Sequence, residues 1–135
     1  MKQYPSIIQK EIVSVDVYAF DKLDGSNIRA EFTRKNGFTK FGSRHQMLSE
    51  QSATILRNAI PLIKEKYSES FSKIIQEFGS NTKSIIGFFE FFGPNSFAGF
   101  HTENDIEKFN VILFDIDVFK IGLLPPQEFL EVTKN

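Results

Sequence analysis

The sequence predicts a single α+β domain, and three features of it carry that prediction. Residues 28–33 alternate Ile28, Ala30 and Phe32 with Arg29, Glu31 and Thr33, and lead into Asn36-Gly37, the residues of a tight hairpin turn. From Ser49 the apolar period changes to that of a helix. Residues 84–92 and 109–119 are dense in Phe, Ile and Val and read as strands buried on at least one face.

In chain order, residues 12–20 (IVSVDVYAF) are apolar and β-branched and read as a first strand running into DKLDGSN. The hairpin follows, with a two-residue turn at Asn36-Gly37 and a return strand from Phe38 to Ser43. Ile55, Leu56, Ala59, Ile60 and Ile63 form one helical stripe, which Pro61 is expected to end or kink. A second helix is expected on Phe71, Ile74, Ile75 and Phe78, closing at Gly79. After the two Phe-rich strands, Pro125-Pro126 opens a short helix over QEFLEV. No internal repeat or linker divides residues 1–135, so one unit is expected.

Composition narrows the function. Hydrophobic residues make up 41% and charged residues 24%, as in a globular domain. The formal net charge of −1 rules out a uniformly basic nucleic-acid wrapper, and the lack of cysteine rules out disulfides, a thiolate zinc site and a Cys nucleophile. The start, MKQYPSIIQKEI, has no signal-peptide apolar region and no later stretch has the length of a membrane span, so no membrane partner and a cytoplasmic location are expected. The charge is unevenly placed: residues 1–67 hold eleven Lys and Arg against seven acids, while residues 68–135 hold five against ten. Lys22, Arg29, Arg34, Lys35, Lys40 and Arg44 would attract phosphate if the fold gathered them on one side.

Lys22-Leu23-Asp24-Gly25-Ser26-Asn27 stands where a strand gives way to the hairpin. Asp-Gly-Ser-Asn is turn chemistry in its own right. Glu90, in the middle of FFEFF, needs another explanation, because burying an unpaired carboxylate is costly. GSNTKS at 79–84 lacks the glycines of a phosphate-binding loop and reads as a helix-ending loop. His45 and His101 lack metal-ligand spacing and read as surface residues.

KLDGSN resembles motif I of the covalent nucleotidyltransferases, the superfamily of ATP-dependent RNA and DNA ligases and capping enzymes. FGSR at 41–44 resembles motif Ia, FFEFFG at 88–93 motif III and LFDI at 113–116 motif IIIa, in the family's order. The Ser-Asn after Gly25 and the opening Tyr4-Pro5 resemble the phage-type RNA ligases most. Motifs IV and V find no match after Phe119, so the resemblance implies the front portion of a ligase adenylation domain, with antiparallel sheets and packed helices framing an ATP cleft.

The resemblance implies that Lys22 becomes joined to AMP, using ATP and Mg2+, before a 5′-phosphate end is sealed to a 3′-hydroxyl. Such a lysine must present a neutral amine, so its pKa has to fall below the usual value of about 10.4. Arg44 matches the motif Ia arginine on ribose or phosphate, and Glu90 the motif III glutamate on ribose hydroxyls. Asp24, Gly25, Asn27 and Arg29 lie on the motif I hairpin as nucleotide-binding candidates, and Gly25 permits a tight backbone approach. Phe114 aligns with the motif IIIa Phe-Asp pair, while the residue covering the base is open between Phe109 and an aliphatic face. The partners implied are RNA ends, with DNA as the alternative, and a separately encoded C-terminal ligase half. Two other readings stand beside the enzyme: a truncated or split-gene ligase fragment that binds nucleotide or nucleic acid without catalysis, and a nucleic-acid-binding module in which KLDGSN is a turn.

Overall fold

The computed structural model describes residues 1–6, 17–19, 25–93 and 108–134. The expected first strand over 12–20 therefore falls almost wholly outside the described residues; its described part, 17–19, is exposed and has no regular structure. Among the described residues the strands are β1 (Ser26–Thr33), β2 (Gly37–Gly42), β3 (Met47–Leu48), β4 (Ser84–Phe92), β5 (Asn110–Val118) and β6 (Gly122–Leu123). They form one antiparallel sheet in the order β3-β2-β1-β4-β5-β6. The helices are α1 (Ala59–Glu77), preceded by a 3-10 turn at Ile55–Asn58, and α2 (Pro126–Val132). This is the expected α+β class.

Alternation along the strands decides which face is covered. Ile28, Ala30 and Phe32 of β1 point one way with Phe38 and Phe41 of β2, Ile85, Phe89 and Phe91 of β4, and Val111, Ile116 and Val118 of β5. Helix α1 covers that face with Ala59, Ile60, Ile63, Phe71, Ile74 and Ile75, all buried. Phe71 is its centre: the ring lies 4.9 Å from Phe38, 5.7 Å from Phe32 and 5.9 Å from Phe89, and is fully buried. Gly87 of β4 leaves room for it, since a Cβ there would stand 2.6 Å from the Phe71 ring.

Two local expectations are corrected. The hairpin loop has three residues, not two: Thr33 pairs with Gly37, and Gly37 alone takes a positive φ, 70°. A two-residue turn of the expected type needs both central residues there, whereas one left-handed Gly closing a three-residue loop avoids placing Asn36 in that region. Residues 59–77 also form one helix where two were expected. Asn58 is the N-cap, so Pro61 falls in the first turn, where an amide has no intrahelical carbonyl to reach and its loss costs nothing. The helix ends as expected at Gly79, whose φ is 78°.

Arg34, in the hairpin loop beside it, closes that C-terminus. Its Nε donates to the Thr82 carbonyl at 2.8 Å, and its Nη2 to the carbonyls of Ile75 at 2.6 Å and of Gly79. GSNTKS is thus the helix-ending loop that was expected, with Thr82 Oγ1 donating to the Phe78 carbonyl at 2.9 Å. At β5, the Tyr67 hydroxyl of α1 donates to the Val111 carbonyl at 3.3 Å and accepts from the Leu113 amide at 3.1 Å.

Phe71→Ala should lower stability by about 3–5 kcal/mol, because it opens a cavity that the surrounding rings of Phe32, Phe38, Tyr67 and Phe89 are too constrained to fill. Urea unfolding measures it; a loss under 1 kcal/mol would show that the helix is not held to the sheet through this ring.

Candidate functional site: the open face of the sheet

The face turned away from α1 carries polar groups. From β1 it receives Asn27, Arg29 and Glu31; from β2, Lys40; from β4, Ile86, Phe88 and Glu90; from β5, Ile112, Asp115 and Asp117. A register shift between Phe88 and Phe89 leaves Phe114 as an extra residue in β5, and Phe114 and Asp115 both meet Tyr4 across this face.

The start of β1, the end of β2 and the end of β4 lie together at one end of the sheet. The Gly25 amide donates to Glu90 Oε1 at 2.9 Å, and Asn27 stands opposite Glu90 in the ladder. A hydrogen bond from backbone N–H to a carboxylate is charge-assisted, which accounts for a half-buried acid between aromatic residues. Gly25 is required sterically: a Cβ there would lie 2.3 Å from the Phe91 carbonyl oxygen. Arg44 follows β2 at the same end and is exposed, in a turn where the Ser43 amide donates to the Gln46 carbonyl at 2.8 Å.

Of the residues predicted for the site, Gly25, Asn27 and Glu90 are thus brought together; Arg29 lies two residues along β1 from Asn27, and Arg44 in the turn after β2. Lys22 and Asp24 lie outside the described residues. Phe114 sits farther along the same face, edge-on to Tyr4 at 5.0 Å and 6.5 Å from Phe88. Phe109 stacks on Phe91 at 5.3 Å and so belongs to the side that α1 covers. Ile112, opposite Glu90, is the aliphatic side chain on the open face at this end.

Among the described residues, the cations from Arg29 to Arg44 are not gathered into one patch. Arg34 closes α1, and Lys40 lies 3.7 Å from Glu31. Arg29 is 5% exposed with Nε and Nη1 unpartnered, and Arg44 and Lys35 face solvent. Burial lowers the Arg29 pKa from its usual value, although a guanidinium keeps its charge at neutral pH.

Residues 1–6 are part of this face, a feature that Tyr4-Pro5 alone did not reveal. Lys2 Nζ is bonded to Asp117 Oδ2, and the Tyr4 hydroxyl donates to Asp115 Oδ2 at 3.0 Å. The Tyr4 ring meets Phe88 at 4.9 Å. Burial first, and then the Asp115 charge, push the Tyr4 pKa up to about 12; burial also raises that of Asp115. The two aspartates in the apolar run LFDIDV carried the same signal as Glu90, an acid in a buried strand. A cleft of about 620 Å³ opens beside them, lined by Met1, Lys2, Glu31, Asp117 and Phe119, away from the Gly25–Glu90 end. A second, of about 530 Å³, lies between α1 and α2, lined by Tyr67, Lys73 and Phe129.

No family model matches the chain, and no curated protein matches it. Among the described residues, no helix is long and apolar enough to cross a membrane.

Two outcomes are expected. Gly25→Ala should cost about 1–3 kcal/mol through the clash with Phe91, lowering the urea midpoint with an unchanged slope; a neutral result would mean that Gly25 is not held against β4. Because the fold raises the Tyr4 pKa, its stabilisation is whole below the unfolded value of about 10 and is lost as pH rises through about 12. An ultraviolet titration should lose one phenol ionising near 12 in Tyr4→Phe; a wild-type chain in which that phenol ionises near 10 would refute the Tyr4–Asp115 contact.

Proposed function

We propose that this chain carries the front part of a covalent nucleotidyltransferase, in which Lys22 is the nucleophile and the open face of the sheet receives the nucleotide. The observation that carries the reading is the hydrogen bond from the Gly25 amide to Glu90, 65 residues away, which joins the segment resembling motif I to the one resembling motif III. Within that class, the Ser26-Asn27 pair and Tyr4-Pro5 favour an ATP-dependent enzyme of RNA-ligase type.

In the proposed reaction the neutral Lys22 amine attacks the α-phosphorus of ATP. A phosphorus–nitrogen bond forms, the bond to the bridging oxygen breaks, and pyrophosphate leaves with the electron pair while the amine sheds a proton. AMP then passes to a 5′-phosphate end of RNA, and a 3′-hydroxyl displaces it. Arg44 is assigned to phosphate or ribose, Asn27 and Glu90 to the nucleoside, and Ile112 to the base, as the aliphatic side chain on the face that Glu90 shares. Magnesium is assigned to the triphosphate, where it would offset charge.

Incubation with ATP and magnesium, with and without a separately supplied C-terminal ligase half, followed by intact-mass measurement, tests the proposal. The expected outcome is a gain of one AMP, absent in Lys22→Ala, with the supplied half raising the yield. No gain in either arrangement, or an undiminished gain in Lys22→Ala, would overturn it.

A further inference from the structure

We propose that Arg29 is an oxyanion receptor for the polyphosphate of a nucleotide, and that the N-terminal segment 1–6 is a removable cover over it. The inference rests on the nucleotidyltransferase reading for the identity of the ligand, and on Arg29 and its cover for the site.

Three observations carry it. The first is the state of the guanidinium: Arg29 is 5% exposed, yet Nε and Nη1 have no hydrogen-bond partner. A charge taken out of water without a partner is strongly unfavourable, and an anion seated on these two nitrogens would relieve that cost. The second is the space made for it. Arg29 pairs with Gly42 on one side and Phe88 on the other. A Cβ on Gly42 would stand 2.7 Å from Arg29 Nε, so the guanidinium lies against bare backbone. The third is what lies over it. The Met1 methyl carbon stands 3.1 Å from the same point above Gly42, so Met1 and the guanidinium share the space over that glycine.

The cover is fastened on the opposite side of the face, by Lys2 to Asp117 and by Tyr4 to Asp115 and the Phe88 and Phe114 rings. It is held there by carboxylates and rings, leaving Nε and Nη1 of Arg29 without a bond. A segment fastened at a few points can lift without unfolding the sheet. Arg29 lies two residues along β1 from Asn27, on the same face, so a polyphosphate running from the Glu90 end reaches it along the strand. A guanidinium fits such a ligand, since its planar fork matches two phosphate oxygens at once.

Isothermal titration of the full chain with tripolyphosphate and with ATP, comparing wild type, Arg29→Met, Arg29→Lys and a chain lacking residues 2–5, tests this. Both ligands should bind wild type. Arg29→Met should weaken them roughly ten- to a hundredfold, the range of a hydrogen bond to a charged group, and Arg29→Lys should weaken them less. Removing residues 2–5 should tighten both. Without ligand, Arg29→Met should melt at or above wild type, because it removes an unpaired buried charge. Absence of binding to wild type, equal binding by Arg29→Met, or weaker binding after removal of the cover would each overturn the inference. Mass measurement on the same samples separates it from the reading it rests on. Polyphosphate binding lost in Arg29→Met with no AMP on Lys22 upholds the receptor and removes the transferase; AMP gained by Arg29→Met at the wild-type rate removes the receptor and leaves the transferase.

Discussion

The ladder between β1 and β4 is the constraint on which the rest of the structure depends. It runs unbroken from Ser26 opposite Phe91 to Thr33 opposite Ser84, and both strands lie inside the sheet. Because side chains alternate, this one register sends Ile28, Ala30, Phe32, Ile85, Phe89 and Phe91 toward α1 and sends Asn27, Arg29, Glu31, Phe88 and Glu90 to the other side. A slip by one residue would exchange the two sets, leaving charged side chains under the helix and apolar ones outside. The burial of aromatic residues against α1 therefore also positions the polar face.

That polar face is assembled from residues that the chain keeps far apart. Gly25 reaches Glu90 only because β1 and β4 are neighbours, and Tyr4 reaches Asp115 across most of the chain. Polar groups inside a sheet are tolerable when each acid has a donor: Glu90 has the Gly25 amide, Asp115 has Tyr4 and Asp117 has Lys2. Arg29 departs from this pattern, which is why it stands out as a place for something the chain does not itself supply.

Much of the fold was legible in the sequence where a period was long and clear. The strands at 84–92 and 110–118, the hairpin, and the helix over 126–132 follow from alternation, β-branching and proline placement. The single helix over 59–77 was not legible, because the effect of Pro61 depends on whether it falls in the first turn, and that depends on where the cap lies. The three-residue hairpin loop turned on the conformation of Asn36, which composition leaves undetermined. The two-residue strands β3 and β6 were too short to leave a periodic signal. At the site, Glu90 was readable as an acid in an apolar strand. Its partner was not, because a backbone amide carries no signature in the side-chain pattern. The dispersal of the basic residues could not be read either, since Arg34 turns to the helix end through contacts set by the tertiary fold.

The Tyr67 hydroxyl, bonded to both Val111 and Leu113, gives this stretch of β5, beyond the reach of the two-residue β6, something other than another strand to pair with. A free row of amides and carbonyls invites an extended chain to add itself, the first step of domain exchange and of fibril growth. At this position the invitation is withdrawn by a phenol from the helix, so self-association by strand addition would first have to pull that helix away from its seat.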